Sequence, residues 1–223
     1  MAARLSNREP GRFSRHRFAC LALFSGLGLG RSAAAQPVST SDRDYLQYGL
    51  ALAAEAVASP GGVCPPNGVN PCILGSGAGL GVRFGYRARD PWFVGGAYEF
   101  SRHDSSNLLR LAILQQFRAE GRFYFDRGDR VTGFITAAAG FHLYGNEWAA
   151  STAGPLASLG GGVEVEISPS TTIGCMASYR LLVPRRWVDG TGVERANEFL
   201  GFGFSHLVGL ELTIEVRDPL PRF

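Results

Sequence analysis

The chain has 223 residues, enough for one domain, and its 30 glycines and 11% aromatic content are both high. The net charge of +3 comes from the amino end, where residues 1–31 hold six arginines and one glutamate. Without residues 1–35, 16 basic and 18 acidic side chains remain, a net charge of −2, so we expect no nucleic-acid partner.

The first 35 residues have the pattern of a secretory signal. Arginines at positions 4–17 precede an apolar run at 18–30, and the small residues Ala33, Ala34 and Ala35 follow as a cleavage site. The alternative is a membrane anchor, but an apolar run this short does not span a bilayer. We predict a cleaved signal peptide at 1–35, export through it, and a periplasmic segment at 36–44.

Eight segments alternate apolar and polar residues, and we predict a strand in each. Their ranges are 45–57, 77–88, 92–103, 109–125, 131–144, 156–168, 172–183 and 198–216. Short connectors at 88–91, 126–130 and 168–171 interleave with longer ones at 58–75, 104–108, 145–155 and 184–197. Short turns alternating with longer loops are typical of an up-and-down barrel that crosses an outer membrane.

The two faces of each strand distinguish a soluble barrel from a membrane barrel. In the second strand, Leu80, Val82 and Phe84 share one face, while Arg83 and Arg87 share the other with glycines. An eight-stranded barrel is too narrow to hold all the bulky residues, so the polar face should point inward. We therefore predict an all-β, eight-stranded antiparallel transmembrane β-barrel at 45–216. Two prolines follow Arg217, and they predict a short periplasmic tail at 217–223.

Aromatic residues lie near both ends of the predicted strands. Trp92, Phe93, Phe123, Tyr124 and Phe125 are near short turns, and Tyr144, Trp148, Trp187 and Phe199 are near long connectors. They predict two interfacial girdles, although aromatic residues also favour strands in general.

The charges on the inward face are nearly balanced. The acids are Glu55, Glu99, Glu120, Glu164, Glu166, Glu211 and Glu215, and the bases are Arg83, Arg87, Arg110, Arg118, Arg122 and Arg180. A selective pore would favour one sign along its lining, whereas a balanced set can pair. We predict a lumen filled by glutamate–arginine pairs. The alternative is that some of these charges lie above the membrane in water.

Two cysteines bracket a connector rich in proline and asparagine. Export permits a disulfide between Cys64 and Cys72, and their spacing matches no common zinc site, so we predict the disulfide and no metal. Cys175 falls on the lipid-facing side. We find no nucleophile and base placed together, because Ser205 and His206 are adjacent and face opposite sides of a strand. We therefore expect no enzyme and no cofactor.

The signal, the eight strands, the charged lumen and the terminal Phe223 together resemble the small outer-membrane β-barrels of the OmpA and OmpX type, over residues 45–216. The resemblance implies a monomer in the outer membrane of a Gram-negative bacterium, with lipid and the barrel assembly machinery as partners. Members of this group act in envelope integrity, adhesion or uptake of small hydrophobic compounds.

Two functions remain open from the sequence. The first is a structural or surface-interaction barrel whose outer loops contact external ligands or surfaces, with Arg185, Arg186 and Trp187 as candidate contacts. The second is a narrow channel or transporter for small solutes or hydrophobic compounds across the outer membrane.

Overall fold

The structure is a computed structural model that describes residues 43–64, 72–125, 130–188, 194–196 and 204–221. The predicted signal peptide and most of the predicted segment 36–44 lie outside these ranges. Within them, no helix is long and apolar enough to cross a membrane.

Eight long strands form a closed antiparallel barrel, and two short strands form a separate hairpin. The barrel order is β1-β10-β7-β6-β5-β4-β3-β2, with β8 paired to β9. The bounds are β1 Tyr45–Ser59, β2 Gly77–Arg87, β3 Trp92–His103, β4 Ala112–Tyr124, β5 Val131–Asn146, β6 Ala149–Ser168, β7 Thr171–Leu182, β8 Arg186–Val188, β9 Glu194–Ala196 and β10 Ser205–Pro219. The predicted fold class is confirmed.

One predicted long connector is wrong. Residues 145–155 are almost entirely strand, because β5 and β6 continue to Asn146 and Ala149 and are joined by Glu147 and Trp148. Glu147 has a φ of 56°, the left-handed conformation that tight hairpin turns use. The remaining connectors at this end of the barrel, 60–76, 104–111 and 183–204, are longer than those at the other end, 88–91, 125–130 and 169–170. We call the first the outer end.

The last strand continues beyond its predicted end. Arg217 pairs with Gln47, and Pro219 pairs with Tyr45 at the first residue of β1. Because Pro219 closes the strand, its missing N–H does not interrupt the ladder within it. The predicted tail at 217–223 is therefore wrong for residues 217–219, which belong to the barrel wall.

The barrel buries charge and exposes apolar side chains. Leu80 is 62% exposed and Phe84 is 59% exposed on the outside, whereas Arg180 and Glu211 are fully buried inside. A protein surrounded by water does the reverse. A closed barrel also satisfies every wall hydrogen bond internally, which lipid requires. The distribution is that of a membrane barrel.

Strand parity separates the aromatic residues that were predicted to form girdles. Trp92, Phe123 and Phe125 pack outside at the turn end, where the Trp92–Phe123 ring centroids are 5.0 Å apart. Phe93 and Tyr124 are buried in the lumen, so their girdle assignment is wrong: successive strand residues face opposite sides. Tyr144 is also buried. Phe199 and the side chain of Trp187 lie outside the described part of the chain.

Glycines make room for the largest inward side chain of β3. The Phe93 ring lies over Gly85 and Gly95, where an added Cβ would come within 2.5 and 2.7 Å of its Cζ atom. Aromatic rings commonly cover glycines on a neighbouring strand in this way. The glycines of the polar face thus admit an aromatic ring as well as charged side chains.

Candidate functional site: the lumen network and the outer plug

Twelve of the thirteen charged residues predicted for the lumen lie on its inner wall. They are Glu55, Arg83, Arg87, Glu99, Arg118, Glu120, Arg122, Glu164, Glu166, Arg180, Glu211 and Glu215. All are buried except Glu166, whose side chain is 24% exposed near the short-turn end. We call these twelve residues, together with Arg217, the lumen network.

Arg110 is the exception, and its assignment to the lumen is wrong. Its side chain is 86% exposed and lies 3.3 Å from the Glu147 carboxylate outside the barrel. Because β4 begins only at Ala112, the alternation of faces does not extend back to Arg110.

Arg217 is a network member that the sequence analysis missed. Its Nη2 donates to a Glu164 oxygen at 2.7 Å, and its Nη1 lies 3.6 Å from Glu166. The inward alternation of β10 through Glu211, Thr213 and Glu215 leads directly to Arg217. The nearby prolines had instead suggested that the strand ended first.

The upper half of the network centres on Arg180. Its guanidinium donates to Glu55 at 2.6 Å, to Glu99 at 2.9 Å and to Glu211. Arg118 donates to the same Glu99 at 2.9 Å and to Glu211 at 3.2 Å. Here two arginines bind three glutamates, so each arginine is shared and removal of one takes a charged partner from two or three buried carboxylates.

The lower half centres on Arg122 and Glu164. Arg122 lies 2.9 Å from Glu120, 3.1 Å from Glu164 and 3.1 Å from Glu215. Arg87 donates to Glu164 at 2.7 Å, as does the Tyr124 hydroxyl. The halves are joined by Arg83, which contacts Glu120 at 3.1 Å and Glu211.

Aromatic rings fill the space beside the lower arginines. The Arg87 guanidinium carbon lies 3.7 Å from the Tyr124 ring centroid, and that of Arg122 lies 4.9 Å from Phe93 and 5.1 Å from Phe134. Contacts of a guanidinium with a ring face are attractive and strengthen when water is excluded. The lower lumen is therefore packed with side chains on both sides of the network.

An apolar cluster closes the outer end of the lumen above the charges. Val63, Cys64, Ile73 and Leu74 of the connector 60–76 reach into the barrel mouth. They pack against Ala112, Leu114, Tyr144, Leu156, Leu182 and Leu207 of the wall. We call Val63, Cys64, Ile73 and Leu74 the outer plug. Cys64 is bonded to Cys72, as predicted, and the residues between them, 65–71, lie outside the described ranges.

Hydrogen bonds fix both sides of the outer plug to the barrel. The Tyr144 hydroxyl donates to the Ile73 carbonyl, and the Ser205 hydroxyl donates to the Pro60 carbonyl at 2.9 Å. His103 Nδ1 lies 2.7 Å from the Gly75 carbonyl oxygen. The connector is thus anchored to three different wall strands, β3, β5 and β10.

Ser101, His103 and Glu55 form a cluster that the sequence analysis did not identify. His103 Nε2 lies 3.0 Å from the Ser101 hydroxyl and 2.9 Å from Glu55, and Ser101 donates to Glu55 at 2.8 Å. These residue types occur in acyl-transfer enzymes, where the carboxylate binds the second imidazole nitrogen. Here that nitrogen faces a backbone carbonyl, and Ser101 is fully buried. Alternation places Ser101 and His103 on one face; only the barrel register adds Glu55.

The neighbours Ser205 and His206 face opposite sides of β10, as predicted. Ser205 is buried in the lumen, whereas His206 faces outward and contacts the Tyr179 hydroxyl. His142 is buried near the outer end, and its Nδ1 has no partner among the described residues. Within the described ranges, no three histidine, cysteine or acidic residues are grouped to hold a metal.

The candidate contact residues follow β7 at the outer end. Arg185 and Arg186 are exposed there, and Arg186 begins β8. Trp187 lies in β8, but its side chain is outside the described part of the structure.

Comparison with known proteins finds similar structures but no similar sequence. No family model and no curated protein matches the chain. Neisserial surface protein A matches at 17% identity and a TM-score of 0.48, over 78% of this chain and 96% of its own. OprG of Pseudomonas aeruginosa matches at 12% identity and a TM-score of 0.48, over 79% of this chain and 96% of its own.

A third solved structure, AlkL in lipid bilayers, matches at 9% identity and a TM-score of 0.45, over 87% of this chain and 99% of its own. The strand pairing of this chain itself gives the closed eight-stranded barrel that small outer-membrane proteins have. Because identities are so low, the likeness concerns the fold alone.

Proposed function

We propose that this protein is a closed, non-conducting barrel of the Gram-negative outer membrane, with a structural or surface-interaction role through its outer end. The observation that carries the proposal is the double obstruction of the lumen. The lumen network fills the middle and lower barrel, and the outer plug lies above it. We expect it to act as a monomer that the barrel assembly machinery inserts into lipid.

The network lacks the organisation of a conducting pathway. Ion channels line the pore with one sign of charge and bind the ion weakly enough to release it. Here the arginines bridge glutamates from different strands, such as Arg180 with Glu55 of β1 and Glu99 of β3. A solute would have to separate pairs that no bulk water solvates, which costs several kcal/mol for each buried charge left unpaired, roughly 3–5.

The channel alternative requires two independent rearrangements. The outer plug would have to leave the mouth, breaking the bonds of Ile73 and Gly75 to the wall. The network beneath would then have to open as well. The arrangement of the described residues favours the closed barrel over the channel.

An enzymatic role has little support. Ser101 is fully buried and His103 is 4% exposed, so the described residues present no exposed hydroxyl of Ser101 to a lipid or peptide substrate. Their bonds to Glu55 and to the Gly75 carbonyl instead tie the outer plug to the network. We assign this cluster a structural role and propose no cofactor.

Conductance in a planar bilayer tests the closed state. We expect the wild-type barrel to give no stable open level. Two double variants each weaken one obstruction. Arg83→Ser with Glu211→Ser removes both partners of one lumen pair, and Ile73→Ser with Leu74→Ser weakens the outer plug. Neither variant alone should conduct steadily, whereas the combination should raise conductance. A large, sustained open state of the wild-type protein would overturn the proposal.

Surface exposure of the outer end is a separate test. Arg186→Cys and Asp90→Cys place a thiol at opposite ends of the barrel. On intact cells, a membrane-impermeant maleimide should label Arg186→Cys but label Asp90→Cys only after lysis. The reverse pattern would show that the long connectors face the periplasm and would rule out a surface-interaction role.

A further inference from the structure

Two arginines line a groove on the outside of the barrel at its outer end. The groove has a volume of about 490 Å³, and its polar lining residues include Arg102, Asp104, Ser105, Asn107 and Arg110. We call it the arginine groove. Its lining also includes the buried His103, which contacts Glu55 of the lumen network, whereas Arg102 faces outward.

Arg102 lies at the level of the lipid headgroups. It is on the outward face of β3 and follows Trp92, at the opposite boundary, by ten residues. Transmembrane strands need about 9–11 residues to cross the hydrocarbon layer. The outward residues between these two, Val94, Gly96, Tyr98 and Phe100, carry no charge. Arg102 is therefore the first charged side chain that a lipid meets at the outer edge of β3.

The guanidinium of Arg102 has no carboxylate partner among the described residues, and it is exposed. Arg110 has one, Glu147, at 3.3 Å, but both side chains are largely exposed to solvent. Exposed pairs of this kind contribute about 0–1 kcal/mol, so a stronger anion can replace the glutamate.

The acidic residue in the groove is directed toward its own loop. Asp104 Oδ1 accepts the backbone N–H of Ser106 at 2.9 Å, in a turn where Ser106 and Asn107 have φ values of 51° and 64°. A carboxylate bound in this way competes less for the arginines. The groove therefore keeps its capacity to bind an anion even though Asp104 lines it.

Aromatic rings flank the groove on the lipid side. Phe100 precedes Arg102 on the same outward face, and its ring centroid lies 5.4 Å from that of Trp148. Trp148 is 74% exposed at the tip of the hairpin that β5 and β6 form. Aromatic rings with adjacent arginines suit a membrane interface, where rings contact the upper acyl chains and guanidinium groups bind phosphate.

We propose that the arginine groove binds the phosphate of an outer-leaflet lipid headgroup, with Arg102 and Arg110 as its ligands. The inference rests on the proposed placement of the barrel in the outer membrane, and it adds a specific lipid contact to it. The protein would hold a phosphorylated lipid beside the hairpin tip.

Tryptophan quenching by brominated lipids tests this contact. The chain has three tryptophans, so Trp92→Phe with Trp187→Phe leaves Trp148 near the groove, and Trp148→Phe with Trp187→Phe leaves Trp92 at the opposite end. Each protein is placed in phosphatidylcholine nanodiscs. A minor fraction of the lipid is either phosphatidic acid or phosphatidylcholine, brominated near the headgroup.

Brominated phosphatidic acid should be enriched beside Trp148 relative to brominated phosphatidylcholine by about two- to ten-fold, as expected for two exposed charge pairs. Quenching of Trp92 should not distinguish the two lipids. Arg102→Gln with Arg110→Gln should abolish the preference, and Arg130→Gln at the opposite rim should preserve it.

Equal quenching of Trp148 by both lipids would overturn the inference, as would a preference for phosphatidic acid that survives the double arginine variant. Loss of that preference when inorganic phosphate is added would also overturn it, because it would indicate a soluble ligand. Heat-dependent gel mobility establishes that each variant is folded. Failure of the barrel to insert would overturn the proposed function itself, whereas insertion without a lipid preference overturns only the lipid site.

Discussion

The Arg180 guanidinium of β7 lies 2.6 Å from the Glu55 carboxylate of β1, although β10 separates these two strands in the barrel wall. The same guanidinium lies 2.9 Å from Glu99 of β3. One side chain therefore links strands that share no backbone hydrogen bonds with each other. The lumen network holds the barrel closed across its interior, in addition to the ladder around its wall.

Replacing Arg180 should destabilise the barrel strongly. Arg180→Met removes from Glu55 the one arginine that contacts it among the described residues, and it removes one of the arginines bound to Glu99 and to Glu211. Glu55 keeps its contacts with Ser101, His103 and Gln116. Because three buried carboxylates each lose a charged partner at once, we expect the free energy of unfolding to fall by about 3–5 kcal/mol. Urea unfolding in lipid vesicles, followed by tryptophan fluorescence, measures the change.

Arg110→Met is the matched control, because Arg110 carries the same charge but lies outside the lumen with its side chain 86% exposed. It should change the free energy of unfolding by no more than about 1 kcal/mol. Equal effects of the two substitutions would mean that the network contributes no more than a surface pair.

Arg217 provides a second, weaker test of the network. Its substitution by Met removes the 2.7 Å bond to Glu164, but that carboxylate keeps Arg87 and Arg122. We expect a loss of about 1.5–3 kcal/mol, the range for a hydrogen bond to a charged group, in the same urea assay. Arg43→Met, at an exposed position before β1, should have no measurable effect. A neutral result for Arg217 would indicate that residues 217–219 do not hold their place in the wall.

The sequence predicted the inside-out character of the barrel because alternation is a local property. Arg118, Glu120 and Arg122 fall on one face of β4 whatever the rest of the fold does. Alternation failed where the strand bounds were wrong. Arg110 was assigned a face although β4 had not yet begun, and Arg217 was lost because the strand continues up to Pro219.

Features that depend on distant parts of the chain could not be predicted in this way. Val63, Ile73 and Leu74 show no periodicity, and only the folded connector brings them against Leu114 and Leu207. Glu55 meets Ser101 and His103 through the pairing of β1, β2 and β3, which sets the vertical register of the three strands. Register depends on the whole sheet, so a single strand does not reveal it.

The Cys64–Cys72 disulfide should order the outer plug more than it stabilises the barrel. Cys64→Ser with Cys72→Ser opens a small ring, so the loss in free energy of unfolding should be at most about 2–3 kcal/mol. Hydrogen exchange should become faster at the amides of Ile73 and Leu74 but stay unchanged in the middle of β10. Cys175→Ser, in β7, serves as the control. Unchanged exchange at Ile73 and Leu74 would mean that wall contacts alone hold the outer plug.

Two glycines of the barrel wall should respond in opposite ways to an added methyl group. A Cβ at Gly140 in β5 would overlap the Phe117 carbonyl oxygen, which is backbone and cannot rotate away, whereas at Gly96 in β3 the nearest atom is 3.6 Å distant. Gly140→Ala should lower the free energy of unfolding by about 1–3 kcal/mol through overpacking. Gly96→Ala should leave it unchanged or raise it by about 0.4–1 kcal/mol, because alanine restricts the unfolded chain. Urea unfolding in vesicles distinguishes the two variants. Equal losses would contradict the close approach of β4 and β5 at Gly140, because backbone lies within overlap distance of the added methyl group at Gly140 but not at Gly96.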